Sequence, residues 1–78
     1  MGEKFGNALR SLRKEKNLTL KELASKLNIR LTAISRWELN QTEPDLNMLE
    51  KLADFFNVSV DYLMGRENYD YTKKYPEK

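Results

Sequence analysis

Four side chains between positions 31 and 36 carry the chemistry this sequence offers: Leu31, Thr32, Ser35 and Arg36. At helical spacing they share one face, opposite Ile34 and Trp37 with Ala33 beside them. That face has too few charges for an ordinary solvated surface and too much hydroxyl and guanidinium for a core. Hydroxyls and a planar fork of guanidinium donors are the groups that read nucleobase edges and phosphate oxygens. Other chemistry is scarce. The chain has no histidine and no cysteine, which removes the commonest general base, the thiolate nucleophile and the soft metal ligands. Gly2, Gly6 and Gly65 are scattered and form no phosphate loop. Carboxylates spread over the expected helix surfaces flank no cleft. No enzyme, cofactor or metal site is expected.

The polar face needs a helix to carry it and a neighbour to aim it. A helix is expected from about Leu31 to Leu39, with Ile29 turned inward ahead of it. The preceding helix carries its own start signal, because Thr19 and Glu22 are spaced as a capping box, and Leu18 and Leu23 as a hydrophobic staple. From Leu20 onward, Leu20, Leu23, Ala24 and Leu27 form one apolar stripe, and Ala24 is small enough to admit a crossing helix. Asn28 tolerates the left-handed backbone that stops the helix and turns the chain. Two helices joined by so tight a corner, the second with short polar side chains outward, form a helix-turn-helix.

The run LKELASKLNIRLTAISRWELNQTEPDLNMLEKLADFFNVSVDYLMG resembles the DNA-binding domain of the lambda-repressor-like family, which includes phage repressors, Cro proteins and XRE-type regulators. The resemblance spans roughly Phe5 to Gly65 and rests on the order of several short motifs. These are the Leu-Ala pair of the second helix, Ile-Ser-Arg-Trp-Glu in the third, Glu-Pro before the fourth and Val-Ser-Val-Asp-Tyr-Leu in the fifth. It implies an all-α fold, a compact five-helix bundle, and a transcriptional regulator, in first expectation a repressor, that binds double-stranded DNA with its recognition helix in the major groove. Thr32 and Arg36 would then contact bases, Arg36 at the acceptor edge of guanine, with Ser35 and Leu31 behind them and Leu31 against a thymine methyl. Thr19, Lys21, Arg30, Asn40 and Thr42 would meet phosphate, helped by the dipole of the second helix. Arg30 and Leu31 depart from the family, which commonly has a Ser or Thr cap and then a polar residue. Asn40 stands where the family commonly has glycine and keeps the tolerance for positive φ. By itself Arg13 reads as an exposed, phosphate-facing arginine; the resemblance instead implies a partly buried ion pair with Glu38. One domain reads few bases, so a homodimer on an inverted-repeat operator is expected. A protein-interaction module of the antitoxin or antirepressor-binding type is the alternative, with Leu31 and Leu39 as its apolar rim.

Composition sets the frame for this reading. Seventy-eight residues suit one domain with a modest core. No apolar run is long enough to span a membrane, MGEKFGN lacks the apolar stretch of a signal peptide, and cysteine is absent, so a cytoplasmic bacterial or phage protein is expected. The net charge of +2 hides an asymmetry: residues 1–40 carry nine basic and four acidic side chains, whereas residues 41–78 carry five and eight. The basic half contains the helix-turn-helix, as an electrostatic footprint for phosphate would require.

The remaining elements support the pair. A first helix is expected from about Lys4 to Lys16, with Phe5, Ala8, Leu9 and Leu12 inward and Asn17 as its stop. After Pro44, Asp45 should cap a fourth helix whose stripe is Leu46, Leu49, Leu52, Ala53 and Phe56, closed by Asn57. A short fifth helix follows Ser59 and ends at Gly65. Met48, Phe55, Val60, Tyr62 and Met64 read as core or rim, at the end of the domain through which the family often dimerises. The domain is thus expected over 1–65. Residues 66–78, RENYDYTKKYPEK, have no aliphatic side chain and read as a flexible tail, a linker or an arm toward a second subunit.

Overall fold

The computed structural model describes residues 3–65, with side chains from Phe5 onward; the expected tail lies outside the described residues. The described chain is all-helical: α1 (Glu3–Glu15), α2 (Leu20–Leu27), α3 (Leu31–Glu38), α4 (Leu46–Phe56) and α5 (Val60–Leu63). Three starts are capped by side chains. Thr19 Oγ1 accepts from Glu22 N–H and Glu22 Oε1 from Thr19 N–H, which completes the capping box of α2. Asp45 accepts from Met48 N–H at 2.9 Å to open α4, and Ser59 from Tyr62 N–H at 2.9 Å to open α5. Each such cap contributes about 1 kcal/mol.

Four helix stops share one device. Asn17, Asn28, Asn40 and Asn57 lie in the left-handed region, with φ between 59° and 61°. At each, two backbone bonds close the end in the pattern of a Schellman motif. For α2, Asn28 N–H reaches Ser25 O at 3.1 Å and Ile29 N–H reaches Ala24 O at 3.0 Å. For α3, Asn40 N–H reaches Trp37 O at 3.0 Å and Gln41 N–H reaches Arg36 O at 2.9 Å. Asparagine tolerates this backbone better than any other side-chain-bearing residue, so the chain turns without glycine.

One core unites the helices. Phe5, Leu9 and Leu12 of α1, Leu23 and Ala24 of α2, Ile34 and Trp37 of α3, Leu49, Leu52, Ala53 and Phe56 of α4 and Leu63 of α5 are buried together. Both α1 and α2 pack on α3, and α5 joins α1 to α4. Phe55 and Phe56 meet edge to face at 4.9 Å, and Lys16 Nζ of the α1 exit stands 5.8 Å from the Phe55 ring centroid. The expected stripe of α4 needs one correction: Leu46 is 63% exposed. It is the first residue of α4, next to its cap, and there the helix has not yet reached the core; Leu49, one turn later, is buried. Three boundaries also move by a residue, since α1 runs from Glu3 to Glu15 and α3 stops at Glu38. The last helical residue lies two positions before the left-handed asparagine in α1 and α3, and one position before it in α2 and α4.

Candidate nucleic-acid interface

Helix α3 is fixed from behind. Ile34 is fully buried and Trp37 is 8% exposed, so the inward face is anchored at two successive turns. On the outward face Leu31, Thr32 and Arg36 are exposed and Ser35 is half-buried. This face is a stripe of hydroxyl, guanidinium and isobutyl groups on a helix eight residues long. Arg30 occupies the N-cap position with extended backbone and makes no side-chain cap bond, as its departure from the Ser/Thr pattern implies.

The far end of α3 is held by ions. Glu38 is 5% exposed, the one buried charged residue among the described residues. Arg13 of α1 meets it with two prongs, Nε donating to Oε2 at 2.6 Å and Nη2 to Oε1 at 3.0 Å. The remaining Arg13 prong, Nη1, donates to Leu18 O at 2.8 Å, tying the α1–α2 corner into the same clasp. The hydrogen bond to Glu38 holds the Arg13 guanidinium above its usual value; burial works against this and the carboxylate's charge adds to it. Two parallel charge-assisted bonds fix distance and orientation together, so α3 cannot slide along α1 without breaking both.

A second clasp lies beside the first. The Gly6 N–H donates to Asn40 Oδ1 at 3.1 Å, bringing the start of α1 against the loop that leaves α3. The approach is close enough that a Cβ at Gly6 would lie 2.6 Å from Glu38 O and 2.6 Å from Asn40 Nδ2. Sequence reading treats Gly6 as one of three scattered glycines, and no local signal marks it: its partners are thirty-odd residues away.

The groups expected at phosphate all fall on exposed positions: Thr19, Lys21, Arg30, Asn40 and Thr42. Two are partly committed elsewhere. Thr19 Oγ1 accepts within the capping box and retains only its hydroxyl proton to donate. Asn40 Oδ1 is taken by Gly6, so its amide N–H₂ group is what remains for a phosphate. No group of three or more His, Cys, Asp or Glu side chains that could hold a metal ion occurs among the described residues.

A capped helix, a left-handed asparagine corner and a clamped second helix with an open polar face define a helix-turn-helix domain. The chain belongs to the helix-turn-helix family, whose model matches residues 9–63. It is 40% identical over 63 residues to the HTH-type transcriptional regulator ImmR of Bacillus subtilis (strain 168), covering 81% of this chain and 50% of that protein. It is also 40% identical over 63 residues to the HTH-type transcriptional activator BcrR of Enterococcus faecalis, covering 31% of the latter. The HTH-type transcriptional regulator SinR of Bacillus subtilis (strain 168) is 36% identical over 65 residues, with 59% of its length covered. The matched region thus spans from 31% to 59% of the length of these relatives.

Proposed function

We propose that this chain binds double-stranded DNA sequence-specifically and regulates transcription, with α3 in the major groove. The observation that carries the reading is the outward face of α3: Thr32 and Arg36 are exposed on a helix whose opposite face is buried and whose end is clamped through Glu38. A reading helix must hold its donors to within a fraction of an ångström, and this one is fixed at its core face and at its end. Arg36 is assigned to the O6 and N7 acceptors of guanine and Thr32 to a neighbouring base edge, with Leu31 against a thymine methyl and Ser35 in support. Lys21, Arg30, Thr19, Thr42 and the Asn40 amide flank this face as phosphate contacts.

Residues 1–65 form the binding domain in this proposal, and residues 66–78 extend it as a linker or dimer arm. Useful specificity comes from two copies on an inverted repeat with half-sites about one helical turn apart. The protein acts in the cytoplasm, as a repressor where its operator overlaps a promoter. No described helix is long and apolar enough to cross a membrane.

One observation favours a second reading, a protein-interaction module: Leu31 is 43% and Leu39 is 55% exposed. Salt separates the two, because counterion release makes DNA affinity fall steeply with salt while an apolar contact scarcely responds. The test is selection of bound duplexes from a random pool, followed by titration of wild type and Arg36→Ala at two salt concentrations. An enriched inverted repeat whose preference relaxes at one base pair in Arg36→Ala is expected, with a loss of about 1–3 kcal/mol of discrimination there. Failure to enrich any duplex at low salt would refute the DNA reading.

A further inference from the structure

We propose that Arg10, on α1 outside the helix-turn-helix, is a further phosphate contact, oriented toward DNA by Glu38; this rests on the DNA-binding reading above. Gly6, Arg10 and Arg13 follow one another at helical spacing along one stripe of α1. Both ends of the stripe are pinned to the exit of the recognition helix, Gly6 to Asn40 and Arg13 to Glu38. Arg10 therefore lies over the same exit, between the Arg13–Glu38 ion pair and the loop that carries Asn40 and Thr42.

Its environment does not use it up. The Arg10 Nε stands 3.7 Å from Glu38 Oε1, too far for a hydrogen bond, and its side chain is 44% exposed. Both carboxylate oxygens of Glu38 already accept from Arg13, and no buried side-chain nitrogen or oxygen among the described residues lacks a partner. Glu38 thus has no unmet need that Arg10 satisfies. Two guanidiniums beside one carboxylate leave a net positive charge at the exit of α3, and among the described residues no hydrogen bond engages the Arg10 donors. Attraction to Glu38 orients the side chain along this flank and leaves its donor fork open. An arginine with unspent donors next to a loop assigned to the sugar-phosphate backbone fits a phosphate, to which it would bind bidentately.

The experiment compares wild type, Arg10→Gln and Arg10→Lys in the full chain, measuring affinity against salt for the selected duplex and a random duplex, and melting temperature without DNA. One lost phosphate contact lowers the slope of log affinity against log salt by about 0.9. Raising salt from roughly 50 to 200 mM should then shrink the wild-type advantage over Arg10→Gln by about 3.5-fold per bound domain. The loss should be equal on both duplexes, with unchanged melting temperature, and Arg10→Lys should restore the slope. An Arg10→Gln protein with wild-type slope and affinity overturns the proposal, as does a loss confined to the selected duplex. If Arg10→Gln melts lower, Arg10→Lys decides: recovery of stability without recovery of slope marks a structural residue and overturns the assignment. Wild type that binds neither duplex defeats the DNA reading itself, an outcome distinct from wild type that binds with a slope indifferent to Arg10.

Discussion

Replacing Gly6 by alanine should destabilise this protein, although alanine is the better helix former. In a helix interior the exchange ordinarily gains about 0.5–1 kcal/mol. Here the new Cβ would stand 2.6 Å from Glu38 O, a backbone atom fixed by the end of α3, and 2.6 and 2.7 Å from the two polar atoms of the Asn40 amide. Reaching an ordinary 3.4 Å contact requires α1 to withdraw by about 0.8 Å. Overpacking of that kind costs about 1–3 kcal/mol, and stretching the Gly6–Asn40 hydrogen bond adds about 0.5–1.5 kcal/mol. Against the propensity gain, the expected net loss is about 1–3 kcal/mol. For a domain of this size, a loss of about 2 kcal/mol lowers the melting temperature by roughly 8–16 °C. Urea unfolding followed by far-ultraviolet circular dichroism and by the single tryptophan, Trp37, reads the loss from two probes. Ser11→Ala, at an exposed position of α1, supplies the control and should gain a few tenths of a kcal/mol. A Gly6→Ala protein as stable as wild type would show that the α1–α3 approach yields freely and that the clasp argument is wrong.

Three further outcomes follow from the same geometry. Glu38→Ala leaves the half-buried Arg13 guanidinium without its counter-ion and two charge-assisted hydrogen bonds, and denaturant titration should record a loss of about 1.5–3 kcal/mol. Leu46→Ser should stay within about 0.5 kcal/mol of wild type in the same titration, because this side chain is mostly in solvent, whereas Leu52→Ala should cost about 2–5 kcal/mol. Asn28→Gly should leave thermal stability nearly unchanged, while Asn28→Ala should lower it by about 1–2 kcal/mol, the cost of a left-handed backbone for a residue with Cβ and no compensating side-chain bond.

Local rules carry local features. The stops at Asn17, Asn28, Asn40 and Asn57 and the caps at Thr19, Asp45 and Ser59 each depend on a window of a few residues, so residue type and spacing reveal them. The outward face of α3 is legible for a related reason: Ile34 and Trp37 fix which side is inward, and the polar set is what remains. Periodicity cannot say where a core ends, and Leu46 shows it, a correctly phased leucine one turn before its helix reaches the interior. The position of Gly6 depends on a backbone approach between segments far apart in sequence and leaves no local trace. Asn40 shows the same limit within one residue: its backbone follows from its type, but the commitment of its Oδ1 to Gly6 does not. The pairing of Arg13 with Glu38 has no spacing signature either, and it enters the sequence reading only through family resemblance.

The two clasps at the exit of α3 also bear on how the chain folds. Arg13 and Glu38 are 25 residues apart, Gly6 and Asn40 are 34 apart, and the longer loop contains the shorter. Closing the first costs the chain entropy of a loop of that size; once it is made only about nine further residues remain to be closed, which lowers the cost of the second closure by about 1.2 kcal/mol relative to closing its loop alone. The pair therefore behaves as one reversible cross-link with two teeth. Helices α2 and α3, whose ends are set by residues close at hand, can form early, and α1 engages the exit of α3 as a single step of higher contact order. That step gives the polar face of α3 a fixed frame, so the rigidity of that face arises from a segment that contributes none of its side chains.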